Sequence, residues 1–284
     1  MKTILILPVG ISDGNDSRLL SIVALCRECG ACVMMDPSLA VPETDGIILR
    51  RDITENKDVD LIISVGGDGS MLYASHEAVI YGTPMIGVST GHVGYLADVP
   101  SNGIEILRDV ITGDFETEDR MMLSGEITLD GEVIHWSSPA LNDIVIAKTD
   151  GSGTAPIELY CHGSDAGKFD ADGVIFATPT GSTAYSMAAG GPLVDPLMQC
   201  MIVTPICPHS VMSPPAVYSA DSVITFRAGT WRASSLELIT DGKGGVPIPT
   251  GALVTIHKSD CVTKFVKVSD KGFTGVFRSK MNGR

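Results

Sequence analysis

The spacing of apolar residues changes along the chain and predicts two kinds of region. Near the N-terminus, short apolar runs alternate with longer stretches whose apolar positions recur every third or fourth residue. These patterns predict, in chain order, strand 3–7, helix 17–29, strand 31–35, strand 60–65, helix 69–81 and strand 84–89. Strands that alternate with helices in this way favour a Rossmann-like parallel sheet covered on both faces.

Beyond residue 115 the pattern becomes one of short, β-branched runs. Asp130-Gly131 joins the runs 121–129 and 132–137 and predicts a hairpin. Further strands are predicted at 143–147, 157–162, 173–177, 201–204, 222–226, 235–240 and 253–258. One helix, 182–189, interrupts them. We therefore expect an α/β domain at 1–100, a mostly β domain at 101–255 and a tail at 256–284.

Composition narrows the choice of partner and location. The net charge of −14 argues against nucleic acid as a partner, because no basic field exists to displace counterions. A small phosphorylated ligand stays possible if backbone N–H groups, local cations or a metal hold it. The apolar runs are too short for a membrane span, and Pro8, Gly10 and Asp13 interrupt the N-terminal one. The expected location is cytoplasmic, with no membrane partner.

The seven cysteines are expected to be reduced thiols. Cys26, Cys29 and Cys32 have a spacing close to that of an iron–sulfur run. Helical periodicity continues as far as Cys29, however, and a strand begins after Gly30. The three side chains would then lie on a helix end and a strand and point in different directions, so we predict no metal there.

The sequence Gly66-Gly67-Asp68-Gly69 follows a predicted strand and opens a predicted helix. Free N–H groups and the helix dipole converge at such a turn, which suits an anion. Asp68 has two interpretations at this stage: it caps the helix, or its carboxylate takes a proton from an attacking hydroxyl or holds a metal. The chain contains no G-x-x-x-x-G-K-[ST] sequence, which excludes a Walker loop.

A second loop, within 169–192, follows another predicted strand and is rich in hydroxyl groups. Its hydroxyl-bearing residues are Thr178, Thr180, Ser182 and Thr183. Tyr185, just after them, could stack on a flat ring or bond a ribose. Asn142-Asp143 precedes a third apolar run, where turn formation alone would explain both residues.

Three segments, in this order, resemble the NAD kinase family. They are G-G-D-G at 66–69, A-L-N-D-I-V-I at 140–146 and D-G-V-I-F-A-T-P-T-G-S-T-A-Y-S-M-A-A-G-G-P at 172–192. Residues 91–98 and 204–210 resemble two more segments of that family. G-G-D-G is shared with lipid and sugar kinases, whereas T-P-T-G-S-T-A-Y is far more specific.

The resemblance implies a NAD kinase fold and activity. Such an enzyme phosphorylates the 2′-hydroxyl of the adenosine ribose of NAD to give NADP, with a nucleoside triphosphate such as ATP or polyphosphate as donor. Asp68 matches the general base, and Gly66, Gly67 and Gly69 match phosphate-binding positions. The resemblance also implies Mg²⁺ or another divalent cation, a homodimer or homotetramer, and a tail that returns to the first domain.

The same resemblance assigns the NAD-binding residues. They are Gly69, Tyr95, Asn142, Asp143, Asp172, Thr180, Thr183, Ala184, Tyr185, Cys207 and His209. Two positions depart from the family: Asp143 stands where Glu is usual, and Ser213-Pro214-Pro215 stands where an arginine often precedes a proline. The alternatives are a lipid or sphingoid kinase, which needs an apolar cleft, and a dinucleotide-binding sensor without catalysis.

Overall fold

The computed structural model describes residues 1–10, 16–35, 47–49, 58–90, 94–97, 99–100, 102–149, 153–209, 213–229, 236–268, 275 and 277. Contacts within the chain divide it into two compact units: Met1–Asp119 with Thr263–Arg284, and Arg120–Val262. These boundaries lie later than the expected 100 and 255. One reason is a helix at Ile106–Thr112 that buries Leu107, Val110 and Ile111 in the core of the first unit.

The first unit is an α/β structure. Its elements are β1 (Thr3–Pro8), α1 (Ser17–Glu28), β2 (Cys32–Met35), β3 (Ile47–Leu49), β4 (Leu61–Gly66), α2 (Asp68–Tyr81), β5 (Met85–Ser89) and α3 (Ile106–Thr112). The strands lie side by side in the order β3-β2-β1-β4-β5, and every neighbouring pair is parallel. The predicted parallel sheet is confirmed. Strand β3 and helix α3 were not predicted, since both are short.

Burial explains why strand β4 consists mostly of apolar residues. Every residue of β4 is buried, and helix α1 packs Leu19 and Ile22 against Ile4 and Ile6 of β1. The carboxylate of Asp16 accepts the N–H groups of Arg18 and Leu19 and so begins α1, as N-capping requires. Among the described residues, no helix is long and apolar enough to cross a membrane.

The three closely spaced cysteines lie on different elements of the first unit. Cys26 is buried within α1, Cys29 caps the end of that helix, and Cys32 begins β2. Burial raises the pKa of the Cys26 thiol to about 12. This thiol therefore stays protonated at neutral pH.

The second unit is mostly β. Its elements are β6 (Thr117–Leu129), β7 (Glu132–Trp136), β8 (Asp143–Lys148), β9 (Ala155–Cys161), β10 (Ser164–Ala171), β11 (Gly173–Ala177), a 3₁₀ helix (Thr180–Thr183), α4 (Tyr185–Ala188), β12 (Cys200–Ile206), β13 (Ala216–Ser219), β14 (Ile224–Arg227), β15 (Leu236–Thr240), β16 (Lys243–Ile248) and β17 (Leu253–Val266). Strand β6 begins in the first unit, and β17 ends there.

One antiparallel sheet of this unit carries the candidate site residues. Its strand order is β13-β12-β11-β8-β15-β16. One face packs Ile144 and Phe176 against Leu159 and Ile256, which belong to strands β9 and β17. The opposite face of β8, β11 and β12 is covered as well, so β11 is buried throughout. The central strands are therefore buried on both faces, and they position the loops at their ends.

Two local predictions need correction. The expected single helix 182–189 is wrong: the chain forms the 3₁₀ helix, changes direction at Ala184 (φ −100°, ψ −129°) and then begins α4. Strand β17 extends well past residue 258, and β10, β13 and β16 were not predicted. Half of the residues of β10 are exposed and only Ala171 is fully buried, so its sequence lacks the apolar alternation that reveals a half-buried strand.

Candidate functional site

Asp68 stands at the carboxyl end of β4, in the first turn of α2. The helix is capped by Gly67, whose backbone is extended, so the interpretation of Asp68 as an N-cap is wrong. Instead, its carboxylate accepts the N–H of Tyr95 at 2.8 Å and the N–H of Leu96 at 3.0 Å. These bonds use one lone pair on each oxygen, which leaves others for a hydroxyl or a cation.

The three glycines around Asp68 differ in their surroundings. Gly66 has φ +156°, and a Cβ there would collide with the Ser70 hydroxyl, so the fold itself requires glycine. Gly67 and Gly69 are exposed, and a Cβ on either would meet nothing within 4 Å. The fold does not need glycine at these two positions. Their lack of a side chain leaves the first N–H groups of α2 accessible to an anion.

Arg18 is a charged residue near this loop that the sequence analysis missed. Its Nη1 donates to the carbonyl of Thr90 at 2.6 Å, and the Thr90 N–H donates to the carbonyl of Gly66 at 3.2 Å. The guanidinium also pairs with Asp16 at 2.7 Å. The hydrogen bond from Arg18 lowers the pKa of Asp16 to about 2. No motif marks Arg18, because only the fold brings α1 to this edge of the sheet.

In the second unit, Asn142 and Asp143 are buried where β8 begins. The Thr178 N–H donates to the carbonyl of Asn142 at 2.8 Å, and the Thr178 hydroxyl donates to the carbonyl of Leu141 at 2.6 Å. Gly181 packs so closely on the backbone of Asn142 that no Cβ would fit. The structure therefore brings together two of the segments on which the resemblance rests.

Asp241, in the turn between β15 and β16, was also missed. Its buried carboxylate accepts backbone N–H groups from Leu141, Asn142 and Asp143 at 2.8, 2.7 and 3.1 Å. The sequence Asp241-Gly242 is typical of a hairpin turn, but no sequence pattern indicates that Asp241 is buried. Burial, and secondly the charge of Asp241, raise the pKa of Asp143 to about 7.

Four of the predicted NAD-binding side chains share one electrostatic environment. The pKa of Tyr185 is raised by burial and then by the charges of Cys207, Asp172 and Asp143. Asp172 in turn forms an ion pair with Lys148 at 2.7 Å. Tyr185 is 46% exposed and Cys207 is exposed, so both are available to a ligand.

The remaining NAD-binding residues predicted in the second unit lie close in sequence to Tyr185 or to Cys207. Thr183 donates its hydroxyl to the carbonyl of Thr180, and Ala184 is the break before α4. The buried hydroxyl of Thr180 has no hydrogen-bond partner within the described part of the chain. His209 is exposed, and its N–H donates to the carbonyl of Asp170 at 2.8 Å. Residues 91–93, 98 and 210 of the resembling segments lie outside the described residues.

Two family models match the chain. The model of the ATP-NAD kinase N-terminal domain matches residues 43–115, and that of the ATP-NAD kinase C-terminal domain matches residues 141–268. An NAD kinase of Symbiobacterium thermophilum is 33% identical over 97% of this chain and 95% of its own length. An NAD kinase of a Thermoanaerobacter species is 38% identical over 79% of each chain. One of Acetivibrio thermocellus is 34% identical over 98% of each.

Two solved structures are similar in fold. A yeast NADH kinase complexed with NADH superposes with a TM-score of 0.88 at 20% identity, covering 99% of this chain and 88% of that one. An NAD kinase from Archaeoglobus fulgidus in complex with ATP superposes with a TM-score of 0.75 at 26% identity, covering 98% of each chain.

The α/β unit, the β-rich unit and these matches define a phosphotransferase. The chain belongs to the NAD kinase family. The predicted fold and the predicted NAD kinase activity are confirmed, and nothing supports the lipid kinase or the non-catalytic sensor.

Proposed function

We propose that Asp68 is the general base of this NAD kinase. It would take the proton from the 2′-hydroxyl of the adenosine ribose of NAD while that oxygen attacks the terminal phosphoryl group of the donor. The O–H bond breaks, the new O–P bond forms, and the leaving phosphate chain keeps the bridging oxygen. The products are NADP and the shortened donor.

The observation that carries this proposal is how the Asp68 carboxylate is held. Two backbone N–H groups fix both of its oxygens, at 2.8 and 3.0 Å, so that the group cannot rotate freely. Phosphoryl transfer depends mainly on positioning and charge neutralisation, with one base on the nucleophile. The Asp68 carboxylate, fixed in this turn, would supply the positioned base, and the N–H groups at the start of α2 would attract the phosphates.

The donor phosphates would lie against Gly67 and Gly69. Exposed N–H groups at the start of α2 attract phosphate oxygens, and the missing side chains let the phosphates approach the backbone. The family models are named for ATP, and the Archaeoglobus fulgidus structure holds ATP, which supports ATP as donor. Polyphosphate presents the same terminal group and is the second candidate.

NAD would be bound by the residues of the second unit. Asn142, Asp143 and Asp172 offer hydrogen-bond acceptors for ribose and amide groups, and Tyr185 offers an exposed ring for stacking. The unpartnered hydroxyl of Thr180 would gain a partner from the ligand. The yeast structure is a complex with NADH, which supports a dinucleotide as the ligand of this fold.

A divalent cation is part of the proposal, and Mg²⁺ is the preferred one. Among the described residues, no three His, Cys, Asp or Glu side chains form a metal site. Mg²⁺ is commonly held by one or two carboxylates together with substrate phosphates, and Asp68 supplies a carboxylate with free lone pairs. Bound there, the ion would neutralise phosphate charge, which an acidic protein with a net charge of −14 does little to neutralise.

We also propose a homodimer or homotetramer in the cytoplasm. Several large apolar side chains of the second unit are exposed, among them Leu197, Met198 and Val217. Apolar surface of this kind favours association. Seven cysteines without a disulfide among the described residues agree with a reducing compartment.

The test is NADP formation from NAD, Mg²⁺ and either ATP or polyphosphate. Asp68→Asn should lower kcat about 100-fold or more, as expected for a lost base, while NAD still binds. Asp60→Asn is the matched control, since the carboxylate of Asp60 also accepts a backbone N–H, that of Thr3 at 2.7 Å, but away from the loop. A near-normal kcat in Asp68→Asn would refute the assignment.

A further inference from the structure

The carboxylate of Asp241 occupies an anion-binding concavity made by the chain itself. Three successive backbone N–H groups, from Leu141, Asn142 and Asp143, all donate to it. Successive N–H groups of this kind usually bind phosphates or other external anions. Here an internal carboxylate takes that place, and it is 7% exposed.

The contact is reciprocal and extends the pairing of the two strands. Strands β8 and β15 are antiparallel neighbours, with Thr240 opposite Ile144. The next backbone bond runs from the Asp241 N–H to the carbonyl of Asp143 at 2.9 Å. Asp241 has φ +48°, a left-handed conformation that turns its side chain back toward the start of β8. Asp and Asn adopt this conformation more readily than most residues.

The segment held by Asp241 is also held from the other side. Thr178 bonds the carbonyls of Leu141 and Asn142, while Asp241 bonds the N–H groups. The backbone that carries the Asn142 and Asp143 side chains thus has its donors and acceptors fixed by two different loops. Hydrogen bonds to a charged acceptor are the stronger ones, so the Asp241 side supplies most of this restraint.

We infer that Asp241 is a positioning residue for NAD binding, which fixes the backbone of Asn142 and Asp143 without contacting the dinucleotide. The inference rests on the proposed role of these two residues in NAD binding. It explains why an acidic residue lies buried beside another acidic residue, Asp143. Opposed like charges destabilise a sheet, so this arrangement lowers the stability of the fold. Its role is to fix the backbone of residues 141–143.

The test is steady-state kinetics of Asp241→Asn and Asp241→Gly with NAD and ATP. Asn keeps the shape but replaces one charged oxygen with an amide NH₂ that faces a donor; Gly tolerates the left-handed φ and removes the acceptor altogether. We expect the KM for NAD to rise about tenfold in Asp241→Asn, as for a lost charged hydrogen bond, and further in Asp241→Gly. The kcat at saturating NAD and the KM for ATP should stay within about twofold, since the loop at Asp68 is untouched.

Asp130→Asn is the matched control, because Asp130 also precedes a glycine in a hairpin turn, with φ +51°, but is exposed. It should leave all constants unchanged. If both folded Asp241 variants keep the wild-type KM for NAD, or if kcat falls while KM does not change, the positioning role is wrong. If neither variant can be purified folded, Asp241 serves stability and the inference is likewise overturned.

Asn142→Ala separates this inference from the proposal on which it rests. If Asn142→Ala raises the KM for NAD and the Asp241 variants do not, the NAD-binding assignment stands and only the role of Asp241 fails. If Asn142→Ala leaves the KM unchanged, the assignment of NAD to this segment fails first.

Discussion

The carboxylate of Asp68 lies directly against the Cα of Gly94. A Cβ built on Gly94 would coincide with the space that the Asp68 Oδ1 occupies. The neighbouring N–H groups of Tyr95 and Leu96 hold the same carboxylate. The segment after Gly94 therefore fixes the proposed base through two donors and through the absence of a side chain.

This relationship predicts the effect of Gly94→Ala. The added methyl must displace the Asp68 carboxylate and break its two hydrogen bonds, which costs about 2 kcal/mol of stability. A displaced base should also lower kcat about 100-fold. Kinetics and thermal unfolding measure both effects. Gly244→Ala is the control, since a Cβ there meets nothing within 4 Å; equal kcat in the two variants would contradict the role of Gly94.

Alanine substitutions at Gly67 and Gly69, where the fold does not require glycine, should affect donor binding rather than folding. Gly67→Ala and Gly69→Ala should fold normally, and Gly69→Ala should gain about 0.5–1 kcal/mol because alanine favours the helix. Both should raise the KM for ATP about tenfold, because the methyl obstructs the phosphates. Gly66→Ala, in contrast, should lower the melting temperature, since its Cβ would strike Ser70. An unchanged KM for ATP in both Gly67→Ala and Gly69→Ala would place the donor elsewhere.

Asp143 predicts a pH dependence of stability. Its pKa is raised from 3.8 to about 7 in the folded chain, so the native state holds this proton more tightly than the unfolded state. The stabilisation is complete below about pH 4 and is lost as the pH rises through 7, a change of at most about 4 kcal/mol. Asp143→Asn removes this dependence. Relative to wild type, the variant should therefore gain about 3 kcal/mol of unfolding free energy between pH 5 and pH 8.

Denaturant unfolding at the two pH values measures this difference, with exposed Asp130→Asn as the control. The same difference in both variants would show that Asp143 is not the titrating group.

The ion pair between Lys148 and Asp172 indicates that Lys148 supports NAD binding by holding Asp172 in place. Lys148 is 14% exposed in its side chain and also donates to the carbonyl of Gly153, so it holds Asp172 firmly. Lys148→Met should release Asp172 and raise the KM for NAD about fivefold. Lys168→Met is the control, since Lys168 is 52% exposed and lies 3.7 Å from Glu158. Similar constants in the two variants would exclude a role for the pair.

The spacing of apolar residues predicted the strands that are buried along their whole length. Strands β4 and β11 are buried along their whole length and read as apolar runs, so both were found from sequence. Strand β10 exposes half of its residues and β16 most of its own, and their hairpin partners rather than their own composition make them strands. The turn at Ala184 escaped prediction because small residues allow a helix and a 3₁₀ turn almost equally.

The sequence alone was sufficient for the order of the motifs, the parallel first unit and the NAD kinase family, because these depend on residue types at short spacing. The tertiary structure decided which groups meet. Asp68 meets the N–H of Tyr95 across 27 positions, and Asp241 meets the N–H of Asn142 across 99. Such contacts form when packed strands close long loops. Local periodicity does not indicate which distant backbone N–H groups a buried carboxylate will accept.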